Sequence, residues 1–264
     1  MNIARNASGR PGPILAVCGK GGVGKTALTA LLSRALLDRG VAPLLLIDAD
    51  PVGGLRFALG ESDTRNLAEV RARVIESARG GVDDRQFVAQ QLDFMVAEAL
   101  IERPDHALLA MGRSTSPGCF CSVNKLLRDS IDVLCGAFAM TLIDAEAGVE
   151  QINREVTRRT SGFVVVLDGS ERAAHTLRTI RAMAPTDRVA AVMNRHAGDA
   201  LAPLELEQVP VLGVLPEDEL LRRQDQAGRS LWDLPTSARS RRAADAIAHQ
   251  VIERWAQPSG ASHA

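Results

Sequence analysis

The sequence predicts an α/β fold in which a mainly parallel central sheet is flanked by helices on both faces. Three observations point there: short apolar runs that do not alternate with polar residues, longer intervening stretches of helical periodicity, and a glycine-rich turn joining the first apolar run to the first helical one. Near-continuous Val, Leu and Ile suit strands that are covered on both faces.

The elements follow in order. Ile14–Cys18 is the first strand, and Thr26–Arg39 the first helix after the glycine-rich turn. Leu44–Ile47 is the second strand, followed by helical stretches at about Leu67–Arg79 and Asp84–Gln91 and a third strand at Ala107–Met111. A helix at about Val123–Phe138 presents Leu127, Ile131, Leu134, Cys135 and Phe138 on one apolar face and leads to a strand at Met140–Ile143. The remaining strands are Phe163–Leu167, Val189–Met193 and Val211–Val214, alternating with helices at Glu171–Met183, Glu217–Asp225 and Arg241–Trp255. Each apolar run is bounded by glycine or polar clusters, and no internal repeat or Pro/Gly-rich linker divides the chain. The expected organisation is a short disordered leader at 1–12, one domain over 13–257 and a flexible tail at 258–264.

Composition narrows the function. With 264 residues, 46% of them hydrophobic, the chain can bury a full core. Its net charge of −1 offers no bulk electrostatic attraction to nucleic acid or to an anionic membrane surface, so neither is expected as a partner. No apolar stretch reaches the roughly 18–20 residues of a membrane span, and the short run ILAVC is below the length of a signal-peptide core. The expected location is the cytoplasm. Four cysteines are too few for a disulfide framework, and in that compartment they would serve metal binding, redox chemistry or packing.

The turn reads CGKGGVGKT, and Gly19 to Thr26 fit GxxxxGK[ST] at every fixed position, between a strand and a helix. Glycines let backbone N–H groups turn inward around phosphate oxygens, and the helix N-terminus adds unsatisfied donors of its own. Gly21, Gly22, Val23, Gly24, Lys25, Thr26 and Ala27 then form the nucleotide-binding loop, with Lys25 reaching the β/γ-phosphates and the Thr26 hydroxyl on Mg²⁺. The same letters contain GxGxxG at Gly19, Gly21 and Gly24, with Asp48 or Asp50 where a ribose-binding acid would sit. A dinucleotide site is therefore the alternative, although a pyrophosphate needs neither Lys25 nor Thr26.

A second lysine, Lys20, lies within GKGGVGKT. Here the sequence resembles the deviant Walker A group of P-loop NTPases, which includes the partitioning and division-site ATPases and the nitrogenase iron protein. The resemblance implies a three-layer P-loop fold, ATP as the nucleotide, and a homodimer closed by ATP in which Lys20 crosses to the partner's nucleotide.

Asp48 and Asp50 end one strand in LLLIDADP and Asp144 ends another in TLIDAEAG. Carboxyl ends of parallel strands face the ligand crevice, so these acids are placed to serve Mg²⁺ and water. The resemblance makes Asp50 the residue that orients the attacking water and has Asp48 and Asp144 hold waters on Mg²⁺. It also makes Gly148 the switch hinge that senses the γ-phosphate. Asn194, at the end of AVMN, carries an amide donor and acceptor that suit the N6/N7 edge of adenine. The resembling group uses an asparagine there for adenine, with the turn at Pro216 and Glu217 flanking base and ribose.

The segment SPGCFCSVN places Cys119 and Cys121 two residues apart, ahead of a helix expected to begin near Ser122 and Val123. On an extended segment residues i and i+2 point the same way about 6.5–7 Å apart, so a modest bend brings both sulfurs to one metal. The positive end of the helix favours the thiolates. A metal clip or a redox dithiol fits better than a strained disulfide. Two sulfurs leave a tetrahedral site half filled, and a twofold axis would present the same pair again, giving a shared site for Zn²⁺ or Ni²⁺. Cys18 and Cys135 read as core residues.

Taken in order, GKGGVGKT, IDADP, MGRSTSPGCFCSVNKLLR, LIDAEAGVEQ and VMNR resemble the CooC-type ATPases that insert nickel into carbon monoxide dehydrogenase. That resemblance covers about 14–225 and implies an ATP-hydrolysing metallochaperone whose homodimer holds a metal between CxC pairs for a client nickel enzyme. The chain departs from the family at Gln151, where a histidine is usual, and at Asp168-Gly169, which replaces a Glu-Pro turn. Two other activities fit the same group: an electron donor like the nitrogenase iron protein, with a subunit-bridging Fe–S cluster, and a positioning ATPase of the Min/Par kind.

Overall fold

The computed structural model describes residues 11–77, 91–113, 120–145, 159–195 and 209–256. The strands are β1 (Ile14–Cys18), β2 (Leu44–Asp48), β3 (Ile101–Glu102), β4 (His106–Ala110), β5 (Met140–Asp144), β6 (Gly162–Leu167), β7 (Val189–Asn194) and β8 (Val211–Leu215). They form one sheet in the order β3-β4-β2-β5-β1-β6-β7-β8. β3 runs antiparallel to β4 and every other pairing is parallel.

The helices are α1 (Lys25–Asp38), α2 (Gly54–Leu59), α3 (Leu67–Ser77), α4 (Leu92–Ala99), α5 (Phe120–Leu134), α6 (Glu171–Met183), α7 (Glu219–Gln226) and α8 (Arg239–Val251). Successive strand side chains go to opposite faces, and the core divides accordingly. Leu15 and Val17 of β1 join Leu28, Leu31, Ile247 and Val251 from α1 and α8 on one face. Ala16 and Cys18 join Leu67, Met95, Ile131 and Leu177 from α3, α4, α5 and α6 on the other. This is the expected three-layer arrangement. Cys18 and Cys135 are both buried, as expected of core residues.

Several elements differ from expectation at their ends. β2, β5, β7 and β8 each run one residue further, so Asp48, Asp144 and Asn194 complete strands rather than follow them. α5 begins at Phe120 instead of near Ser122, two residues further back in the register that buries Leu126, Leu127 and Ile131. Cys121 is therefore helical, which replaces the extended geometry assumed for it. β3, α2 and α4 had no sequence counterpart. The helix expected at Asp84–Gln91 lies, up to residue 90, outside the described residues, as do 1–10 of the leader and the tail.

Two polar anchors tie α1, α7 and α8 together. Asp38 in α1 takes both Arg34, at 2.7 Å, and the buried Arg241 of α8. Asp218 accepts from Leu220 N at 2.9 Å and from Ser240 N and Oγ at 2.8 Å, so one carboxylate caps both α7 and α8 and fixes the turn carrying Pro216 and Glu217. At the sheet's opposite end Gly162 leaves room for the Trp255 indole, which a Cβ at this position would overlap. Gly162→Ala should therefore cost roughly 1–3 kcal/mol through overpacking, seen in urea unfolding as a lower midpoint at unchanged slope.

Candidate functional site

The sheet order aligns five carboxyl ends. Reading across β2, β5, β1, β6 and β7, these ends carry Asp48, Asp144, the glycine-rich loop, Asp168 one residue past Leu167, and Asn194. The crevice outside such ends is where open parallel sheets bind ligands.

The loop leads into α1 through Gly24, the residue before Lys25, whose left-handed φ of 96° suits glycine. The first N–H groups of α1 have no intrahelical acceptor and open on the crevice, where a cavity of about 600 Å³ is lined by Gly21, Gly22, Gly24, Lys25, Thr26 and Ala27. Val23 contributes differently: its side chain packs in the core and its carbonyl accepts from Asn194 Nδ2 at 2.6 Å. Lys25 Nζ donates to the Lys20 carbonyl at 3.2 Å, inside the loop.

Asp48 and Asp144 are register partners on β2 and β5 and are almost fully buried. Asp144 Oδ2 accepts from the Thr26 hydroxyl at 2.6 Å, while its Oδ1 is buried with no hydrogen-bond partner. Asp48 Oδ2 accepts from Leu55 N at 2.9 Å and Oδ1 from Asp50 N at 3.2 Å, so this carboxylate holds the start of α2 and the loop before it. Burial pushes Asp48 up to about 7, helped by the charge of Asp144 and opposed by the N–H bonds. Burial also raises Asp144 to about 6, against the Thr26 hydroxyl and the Lys25 ammonium. Asp50 is half-buried, lines the cavity and accepts from Val52 N at 2.8 Å.

Lys20 is not a solvated loop lysine. Its ammonium pairs with Asp168 Oδ2 at 2.7 Å, both side chains being about a quarter exposed. Asp168 Oδ1 accepts from the Ser170 hydroxyl at 2.7 Å, and Ser170 caps α6. Burial acts to raise Asp168, but Lys20 and the Ser170 bonds outweigh it and hold the carboxyl below its usual range. Asp168 thus supplies an intramolecular partner for Lys20. An acid directly after a strand end was the available signal for Asp168, and the pairing itself needed the fold.

The cavity is also lined by Phe57, Arg195 and Arg229, which sequence reasoning did not single out. Arg195 holds a left-handed φ of 55°, unusual outside glycine and found preferentially at functional sites. Asn194, Pro216 and Glu217 do not line this cavity. Gly148, Gln151 and Cys119 lie outside the described residues, and Cys121 falls in the first turn of α5. Among the described residues no group of three or more His, Cys, Asp and Glu could hold a metal ion, and no helix is long and apolar enough to cross a membrane.

A phosphate loop opening a helix beside a central parallel strand, with two acids on neighbouring strand ends, defines a P-loop nucleoside triphosphatase. The chain belongs to the family described as the CobQ/CobB/MinD/ParA nucleotide binding domain, which matches residues 14–231, and it is an ATPase of that family. The phosphate-loop reading of the glycines therefore stands over the dinucleotide one. The chain is 31% identical over 253 residues to an uncharacterized ATP-binding protein of Methanocaldococcus jannaschii, covering 91% of this chain and 99% of that one. It is 29% identical over 266 residues to the carbon monoxide dehydrogenase accessory protein CooC of Rhodospirillum rubrum, covering 94% and 99%. Among solved structures it is similar to a ParA family ATPase from Chlorobium tepidum TLS, with a TM-score of 0.67 at 19% identity over 90% of this chain and 98% of that one. The Pyrococcus furiosus cell division ATPase MinD gives 0.65 at 22% identity over 92% and 99%. These last two likenesses concern the fold.

The raised carboxylates set a pH dependence. A carboxyl whose folded pKa exceeds its unfolded value, about 4, stabilises the folded state below that value and loses the contribution as pH rises through the folded one. Thermal unfolding of the metal-free protein should show this loss between about pH 4 and pH 7 for Asp48, and Asp48→Asn should flatten that part of the profile. Parallel profiles for the two proteins would contradict the assignment.

Proposed function

We propose that this ATPase is a cytoplasmic metallochaperone: ATP closes a homodimer that holds Ni²⁺ or Zn²⁺ between Cys119 and Cys121 of each subunit, for delivery to a nickel enzyme of the carbon monoxide dehydrogenase kind. The observation that carries this reading is one chain combining a complete phosphate loop bearing Lys20 with a Cys-x-Cys pair in its sequence, the second cysteine falling in the first turn of α5. Kinship to CooC over nearly the whole of both chains supports it.

The nucleotide chemistry is assigned to residues around the loop. Backbone N–H groups of Gly21 to Ala27 and the Lys25 ammonium bind the phosphates, and Asp50 orients the attacking water. The buried, unpartnered Asp144 Oδ1 beside the Thr26 hydroxyl fits a divalent cation; Thr26 would ligate Mg²⁺, with Asp48 and Asp144 holding its waters. Bound there, Mg²⁺ supplies charge neutralisation for the phosphates. Pro216, Glu217 and the Oδ1 of Asn194 flank the adenine, and Gly148 serves as the switch hinge. Lys20 reaches the partner's nucleotide only after leaving Asp168, so the Lys20–Asp168 pair opposes closure until ATP compensates for its loss.

Coupling between ATP and metal follows from linkage. If both bind the closed dimer better than the open one, each raises the affinity of the other by the same factor. Loss of the γ-phosphate then relaxes the loops at Asp50 and Gly148, parts the Cys-x-Cys arms and leaves the metal with half its ligands. It passes from there to the client.

Light scattering during Ni²⁺ or Zn²⁺ titration, with and without ATP, tests the proposal. One metal per dimer, bound more tightly with ATP and lost in Cys119→Ser/Cys121→Ser, is the expected result. A complete site on each monomer would overturn the shared geometry.

A further inference from the structure

Asn194 is 5% exposed at the end of β7, and its Nδ2 donates to the Val23 carbonyl at 2.6 Å across 171 positions of sequence. Gly24 lies directly beneath this amide, where a Cβ would overlap Nδ2. Two observations thus place the asparagine against the back of the phosphate loop: a short buried hydrogen bond and a glycine whose missing side chain makes room for it.

The consequence comes from peptide geometry. A trans peptide is planar, with its C=O and the following N–H pointing in opposite directions. Holding the Val23 carbonyl toward Asn194 therefore turns the Gly24 N–H the other way, and Gly24 lines the cavity. Left free, this peptide could rotate, because Gly24 tolerates a wide range of backbone angles. A flipped peptide would present an oxygen lone pair to the phosphates in place of a donor.

We infer that Asn194 is a positioning residue of the phosphate loop: its amide fixes the Val23–Gly24 peptide with the N–H aimed at the phosphates. Nδ2 is committed to the loop, and among the described residues none donates to Oδ1. The inference rests on the ATPase assignment and is independent of the metal cargo.

A probe without base or ribose separates this role from an adenine contact. Binding of Mg²⁺-tripolyphosphate and of Mg²⁺-ATP is measured by calorimetry on wild type, Asn194→Ala and Asn194→Asp, with thermal unfolding of each as a control for folding. The aspartate keeps the size of the side chain and removes the donor, so it carries the test if the alanine variant folds poorly. Both variants should bind tripolyphosphate about tenfold more weakly, the loss expected for one buried hydrogen bond, and KM for ATP should rise more than kcat falls. Weakened ATP binding with unchanged tripolyphosphate binding would overturn the inference, leaving Asn194 as a base contact alone. Full affinity for both ligands in the aspartate variant would overturn it as well.

Discussion

Two carboxylates facing each other across neighbouring strands, Asp48 and Asp144, are the constraint around which this site is arranged. Ionised together in a buried place they repel, and burial alone makes each charge costly. The chain offsets part of this with Lys25, the Thr26 hydroxyl and three N–H groups, yet leaves Asp144 Oδ1 without a partner. Such an arrangement favours a cation. Because Asp48 also holds the start of α2 and the loop carrying Asp50, a change of charge at the site is felt directly by residues next to the nucleotide cavity.

Topology places the remaining groups. The loop leaves β1, which sits between β5 and β6, so Asp144 lies on one side and Asp168 on the other. Asp168 takes Lys20, and one strand further Asn194 takes Val23. The loop is thereby tied to the strand ends at three places, Thr26, Lys20 and Val23, by partners 118, 148 and 171 residues away in sequence (144 − 26, 168 − 20 and 194 − 23). The tie at Lys20 is an ion pair exposed enough to exchange partners at modest cost, whereas the tie at Val23 is buried. One can be released during a catalytic cycle, while the other keeps the loop in shape.

Much of this was legible in the sequence, for identifiable reasons. Strands buried on both faces leave unbroken apolar runs, which is why seven of the eight strands among the described residues were recognisable and the two-residue β3 was not. The six-residue α2 lacked the two turns of periodicity needed to see a helix, and it is held by Asp48 more than by its own pattern. The phosphate loop could be read because its geometry demands glycines at fixed spacing. Pairings such as Lys20–Asp168 and Asn194–Val23 could not, because no local pattern encodes a contact between residues more than a hundred positions apart. Asn194 illustrates the difference: its chemistry suggested adenine, and the fold gave half of its amide to the loop.

The proposed function depends on two copies of Cys119 and Cys121 meeting at one metal. X-ray absorption at the metal edge, on dimer loaded with a slowly hydrolysed ATP analogue and one Ni²⁺ or Zn²⁺ per dimer, counts the sulfurs directly. Four sulfurs per metal, at about 2.3 Å for Zn²⁺, are expected. Two sulfurs with nitrogen or oxygen completing the shell would contradict the shared site.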